Sequence, residues 1–151
     1  MSVFRKSVYA IAAFGLMLGL ASGTSAKSLR MSSQWTETTA GAKVDKWWAS
    51  EIEKRTNGAV KIKIFWAGVL GKAKENLGLI QQGAIDLAAM SPGYFPAQLP
   101  FHAAPNSIPM AMSRPDQATA LMERLLTEVP EFEKEAKRNG MKALFYHHLN
   151  P

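Results

Sequence analysis

The chain has 151 residues, 47% of them hydrophobic, with 18 basic against 12 acidic side chains and no cysteine. The charges are interspersed, without a run of five like charges, so the clustered basic face that nucleic acid requires is missing. Disulfides and a cysteine-borne lipid anchor are excluded as well, and a packed core must carry the stability.

The N-terminus reads as an export signal. Arg5 and Lys6 form a charged start, Ala10 to Leu20 is an apolar stretch, and Thr24 to Ala26 offers small residues for cleavage after Ala26. The apolar stretch is short for the ~30 Å hydrocarbon core of a bilayer. An uncleaved membrane anchor is the other reading. Removing residues 1–26 takes away two basic residues and no acidic one, which leaves a mature chain of net charge +4. Residues 27–151 suffice for one domain.

The first strand is expected over Ser28 to Trp35. Val44, Trp47, Trp48 and Ile52 then fall on one stripe of a helix from about Ala40 to Thr56, stopped by Asn57-Gly58. Ala59 to Trp66 alternates Val60, Ile62 and Ile64 with Lys61, Lys63 and Phe65, the period of a strand with one wet face. Ala73, Leu77 and Ile80 stripe a short helix ending at Gly83. Ala84 to Met90 is a nearly continuous apolar run, expected to be a strand buried on both faces. A Pro-rich loop follows from Ser91 to Arg114. A helix is predicted from Pro115 to about Val129, and Pro130 either kinks it or opens a separate helix through Arg138. After Asn139-Gly140, Met141 to His148 reads as a fourth strand. This alternation of strands and helices predicts an α/β fold with a mainly parallel sheet flanked by helices.

Open parallel sheets bind ligands beyond the carboxyl ends of their strands. That rule selects Gln34 to Thr39, Trp66 to Lys74, Ser91 to Phe95, and His147, His148 and Asn150. Amides, hydroxyls, indoles and a phenol dominate there, groups that orient a small polar ligand and stack on its apolar part. Plain packing at a strand end is the competing reading for Trp35 and Trp66. For Tyr94 and Phe95 it is a plug over the sheet edge, and for Gln34 a cap on the next helix. His147 and His148 are adjacent, so on a strand they point to opposite faces and do not pair on a metal. No G-x-S-x-G elbow, phosphate loop or dinucleotide fingerprint occurs, and Pro92 removes a backbone donor next to Ser91.

The stretch "GVLGKAKENLGLIQQGAIDLAAMSPGYF", with Leu70-Gly71, Glu75, Gly83, Asp86, Ser91 and Tyr94 in order, resembles the periplasmic solute-binding subunits of TRAP transporters, the DctP family. Leu99-Pro100 and Ile108 to Met110 extend the similarity over residues 28–151. The resemblance implies a periplasmic-binding-protein-like lobe, one of two that close on a carboxylate ligand. It implies ligand contacts from Gln34, Trp35, Lys72 in the Lys72 to Lys74 turn, Ser91 and Tyr94, with Tyr94 and Phe95 as an aromatic wall. Asp86 is expected to bond backbone rather than ligand. Members of that family are about twice this length, so the second lobe and its clamping arginine would lie beyond Pro151 and residues 27–151 would be the first lobe only. The implied role is capture of a small organic anion, C4-dicarboxylate-like or another carboxylate, in the periplasm. Delivery would be to the permease's membrane subunits, without cofactor, metal or chemistry. The rivals are a small exported hydrolase using Ser91 or a histidine, and a single-lobe scaffold protein.

Overall fold

In a computed structural model of the chain, residues 25–107 and 114–146 are described. The export-signal reading, the Ile108 to Met110 match and the two adjacent histidines lie outside them.

Strand β1 (Lys27–Ser33) leads to helix α1 (Ala40–Arg55), then to β2 (Val60–Phe65), α2 (Asn76–Gln81) and β3 (Leu87–Ala89). A 3₁₀ turn (Pro92–Tyr94), the short helix α3 (Pro100–Ala103) and a second 3₁₀ turn (Ala104–Ser107) follow. Then come α4 (Pro115–Glu128) and α5 (Pro130–Arg138). The sheet is parallel with order β2-β1-β3, so β1 is central. Lys27 pairs with Val60 and Ser32 with Phe65, while Met31 to Ser33 pair with Leu87 to Ala89. The expected α/β lobe with a parallel sheet is what forms.

Local chemistry sets the boundaries. The Thr39 hydroxyl accepts the Ala42 amide hydrogen and caps α1, and Lys54 and Arg55 complement its negative end. Asn57 and Gly58 both have positive φ, and the Gly58 amide reaches back to the Glu53 carbonyl at 2.8 Å. Pro130 starts a separate helix because Val129 is extended, with φ −112° and ψ 102°. Lys61 and Lys63 are exposed and their β2 neighbours half-buried, as the alternation predicts.

Four expectations are corrected. Val44 and Trp47 stand 39% and 62% exposed; α1 turns Gly41, Ala42 and Asp45 inward, small residues that let it lie close on β2. The segment Ser91 to Arg114 is no plain loop, since prolines at first helical positions start short turns within it. Strand β3 is three residues long and only half-buried, because it is the open edge of the sheet. Over residues 141–146 the predicted fourth strand forms no ladder with β3; a space separates the two. The core cluster is Leu77, Phe95 and Leu99, with Met90 and Met141 packed against it.

Candidate functional site at the strand ends

The exits of β1 and β2 are fastened to each other. The Ala67 amide donates to the Trp35 carbonyl at 2.8 Å, and the Gly68 amide to the Ser33 carbonyl at 2.9 Å. Ala67 and Gly68 are consecutive left-handed residues, with φ 53° and 70°, and this turn brings both amides onto β1's exit. Trp35 is held further by its amide bond to the Ser33 hydroxyl at 3.3 Å. Lys46 of α1 lies over the Trp66 ring, 5.7 Å from its centroid.

A cavity of about 730 Å³ opens beside β3, and Trp35 and Ser91 both line it. These are the two predicted residues that the fold brings together there. Ser91 sits just past β3, before the 3₁₀ turn, and its carbonyl accepts the Tyr94 amide at 3.2 Å. The Gln34 side-chain amide oxygen, Oε1, is buried without a hydrogen-bond partner. It does not cap α1, because Thr39 does. The Lys72 amide donates to the Glu75 carboxylate at 2.7 Å, which shapes the turn into α2, and the Lys72 side chain is exposed. Tyr94 is 47% exposed. Phe95 is corrected: its ring is buried in the core with Leu77 and Leu99, away from the cavity wall. The 3₁₀ turn sends successive side chains in different directions, so the two rings do not act as one wall.

Asp86 bonds backbone as expected, but across the sheet. Its carboxylate accepts the Arg30 amide at 2.8 Å, and its own amide donates to the Arg30 carbonyl.

Two buried polar groupings escaped the sequence reading. The Ser32 hydroxyl donates to the Asn76 side-chain oxygen Oδ1 at 2.8 Å, both residues fully buried. Glu135 of α5, also fully buried, accepts three hydrogens from α3: the Phe101 amide at 2.8 Å, the His102 amide at 3.0 Å and the His102 ring Nδ1 at 2.5 Å. Burial by itself would raise the Glu135 pKa, but the His102 and Phe101 amides and the His102 ring outweigh it and hold the carboxyl below its ordinary value. Burial and the Glu135 charge push the Tyr146 phenol up. His102 Nε2 has no hydrogen-bond partner, so no bond joins it to Ser91 although both residues border the same cavity. The only sequence signal for the pair was Glu135 on the apolar side of α5, next to Phe132 and Ala136.

The fold matches solved structures of TRAP periplasmic solute-binding proteins. One from Desulfovibrio salexigens, an open complex with the C-terminus of a symmetry mate in its ligand-binding site, is 26% identical over 74% of this chain and 34% of its own, with a TM-score of 0.62. One from Sulfitobacter, with bound β-D-galacturonate, is 23% identical over 75% of this chain and 37% of its own, with a TM-score of 0.60. An extracytoplasmic solute receptor of Bordetella pertussis binding pyroglutamic acid is 20% identical over 74% and 37%, with a TM-score of 0.62. The chain thus spans little more than a third of the length of these structures. Among curated proteins the sequence finds no match. The family model for bacterial extracellular solute-binding proteins, family 7 (DctP), matches residues 31–149. The chain belongs to that family.

Proposed function

We propose that this chain is the solute-capturing lobe of the extracytoplasmic subunit of a TRAP transporter. It holds a small organic acid and hands it to the membrane subunits of the permease. It works in the periplasm after cleavage near Ala26. The observation that carries this reading is the placement of Trp35 and Ser91 beyond the carboxyl ends of adjacent parallel strands, beside one cavity. The Trp35 indole offers a flat apolar surface, and the Ser91 hydroxyl and Gln34 amide offer hydrogen bonds. Lys72 and Tyr94 stand on neighbouring exits, exposed and outside the cavity lining, and would add charge and a phenol from the solvent side. Phe95 serves by anchoring the turn that carries Tyr94. Acid ligands named for two of the structural relatives, galacturonate and pyroglutamic acid, agree with a carboxylate.

A lobe that closes on nothing leaves half of a cleft in water. The 151-residue chain is therefore expected to bind any single carboxylate with Kd above ~1 mM. A family-length protein beginning with this sequence is expected to bind one in the micromolar range, and Trp35→Ala to weaken it at least about tenfold. The test is calorimetric titration of dicarboxylates, keto acids and sugar acids into both. Micromolar binding by the 151-residue chain, or indifference of the longer protein to Trp35→Ala, overturns the assignment. The hydrolase rival gains one observation: His102, whose ring is bonded to Glu135, borders the same cavity as Ser91. It requires ester turnover that disappears in Ser91→Ala.

A further inference from the structure

Two Asn-Gly pairs occur in the sequence, each just past a helix: Asn57-Gly58 after α1 and Asn139-Gly140 after α5. Besides stopping a helix, such a pair carries covalent chemistry. The backbone nitrogen after an asparagine can attack the side-chain carbon Cγ and close a five-membered ring, and a glycine there has no Cβ to shield the nitrogen. The two pairs have this in common, and also open space, since a Cβ added at Gly58 or Gly140 would meet nothing within 4 Å. The fold treats them differently.

Asn139 is tethered. Its side-chain nitrogen Nδ2 donates to the Gln98 carbonyl at 2.8 Å and to the Glu135 carbonyl at 2.9 Å, which holds both Cγ and the nitrogen that would leave. The residue is half-buried, and the Gly140 amide is bonded to the Lys137 carbonyl at 3.0 Å. Asn57 is exposed, and its side chain makes no hydrogen bond among the described residues. Its backbone is left-handed, with φ 49°. One bond guards the attacking nitrogen: the Gly58 amide donates to the Glu53 carbonyl at 2.8 Å. That bond belongs to the last turn of α1, and terminal turns open far more readily than helix interiors.

We propose that Asn57 is a self-modification site, which deamidates through Gly58 while Asn139 is protected. When the turn opens, hydroxide removes the Gly58 amide proton and the nitrogen attacks Asn57 Cγ. The N–Cγ bond forms, the Cγ–Nδ2 bond breaks, and Nδ2 takes a proton from water and leaves as ammonia. Water then adds to one of the two carbonyls of the cyclic imide, and ring opening leaves aspartate or isoaspartate at position 57. No electrons change hands, and hydroxide and water are the only co-reactants.

The product alters the fold at one place. A carboxylate appears at the negative end of α1, where an anion is disfavoured. In isoaspartate the backbone between α1 and β2 also gains a methylene. Close by, the Val60 amide is held by the Thr56 hydroxyl at 3.1 Å, and the Lys27 amide by the Ala59 carbonyl at 2.8 Å. These two bonds set where β2 begins against β1, so modification loosens the start of the sheet and limits the lifetime of the lobe. The inference is independent of which solute is bound.

Incubation of the 151-residue chain at mildly alkaline pH, followed by peptide mass mapping with electron-based fragmentation to separate isoaspartate from aspartate, tests it. In the folded chain, position 57 should convert at least about tenfold faster than position 139, and faster still as pH rises. In guanidinium the two should convert at similar rates. Amide exchange over residues 58–62 should quicken as the parent ages and stay constant in Asn57→Gln, whose ring would be one atom larger and closes more slowly. Equal conversion of the two positions in the folded chain overturns the inference, and so does a difference that persists unchanged in guanidinium. Failure of Asn57 to convert in the folded chain, over the time in which the unfolded chain converts completely, overturns it as well.

Discussion

Replacing Glu135 by alanine should be the most damaging single change to a polar group in this lobe. Its carboxylate accepts the Phe101 and His102 amides and the His102 ring, and no water reaches it. Removing it strands three donors at once, the two from His102 buried and the Phe101 amide partly so. One abandoned buried donor costs about 1–3 kcal/mol, and breaking a buried charged pair from one side costs about 3–5 kcal/mol. The donors share one carboxylate, so these costs overlap, and about 4 kcal/mol is expected. The helix preference of alanine over glutamate returns only a few tenths of a kcal/mol, roughly. For a domain of this size the loss corresponds to roughly 15 °C in Tm. Urea unfolding read by tryptophan fluorescence measures it, with Trp35, Trp48 and Trp66 as reporters. Glu135→Gln, which keeps an acceptor oxygen but no charge, should lose about half as much. Replacing Glu135 and His102 together by leucine should cost less than Glu135→Ala, because no buried charge is left alone. A Glu135→Ala protein within about 1 kcal/mol of the parent would show that α3 and α5 are held by packing alone, and the reasoning would fail.

Acid should weaken the lobe through the same group. A carboxyl whose folded pKa lies below its unfolded value contributes fully above the unfolded value and loses that contribution as pH falls through the folded one. The urea midpoint should therefore decline as pH drops below the ordinary glutamate value of 4.5. Half-buried Glu51 and exposed Asp116, Glu128 and Glu133 shift the same way beside Lys54, Arg114, Arg124 and Lys137, so the informative quantity is the flatter profile of Glu135→Gln. An identical profile for that variant would remove Glu135 as the cause. Asn76→Ala should cost about 2 kcal/mol by leaving the Ser32 hydroxyl buried and unanswered, and adding Ser32→Ala should recover part of it in the same urea assay. No recovery in the double variant would mean that the Asn76 side chain acts by filling space.

The parallel sheet was legible because its signals are local. The Lys61/Lys63 alternation, the Asn57-Gly58 stop and the proline at the head of α5 each depend on a few neighbouring residues. The burial of α1 was misread because apolar side chains were assumed to mark the inner face. Close approach to β2 instead selects Gly41 and Ala42, which leaves Val44 and Trp47 outside. Phe95 went astray for a related reason: nothing in "SPGYF" tells which ring a 3₁₀ turn will send inward. His102 and Glu135 lie 33 residues apart, and Ser32 and Asn76 lie 44 apart. Pairings of that kind come from topology, which residue spacing does not encode. The fourth strand shows the limit most plainly. Its sequence carries the propensity for extended backbone, but a ladder needs a neighbour, and the neighbouring position beside β3 is empty of one among the described residues.

The clip between the first two strand exits has a thermodynamic consequence. Because the amides of Ala67 and Gly68 are committed to the carbonyls of Trp35 and Ser33, these loops are ordered before anything arrives. On the function proposed above, a solute settling against Trp35 would have to immobilise side-chain rotors but not the backbone, whose ordering costs about 1–2 kcal/mol per residue. On that proposal, exchanging the side chains at positions 34 and 35 would retune what is held there without rebuilding the scaffold beneath them. Disturbing the left-handed pair at 67 and 68 would weaken every solute alike.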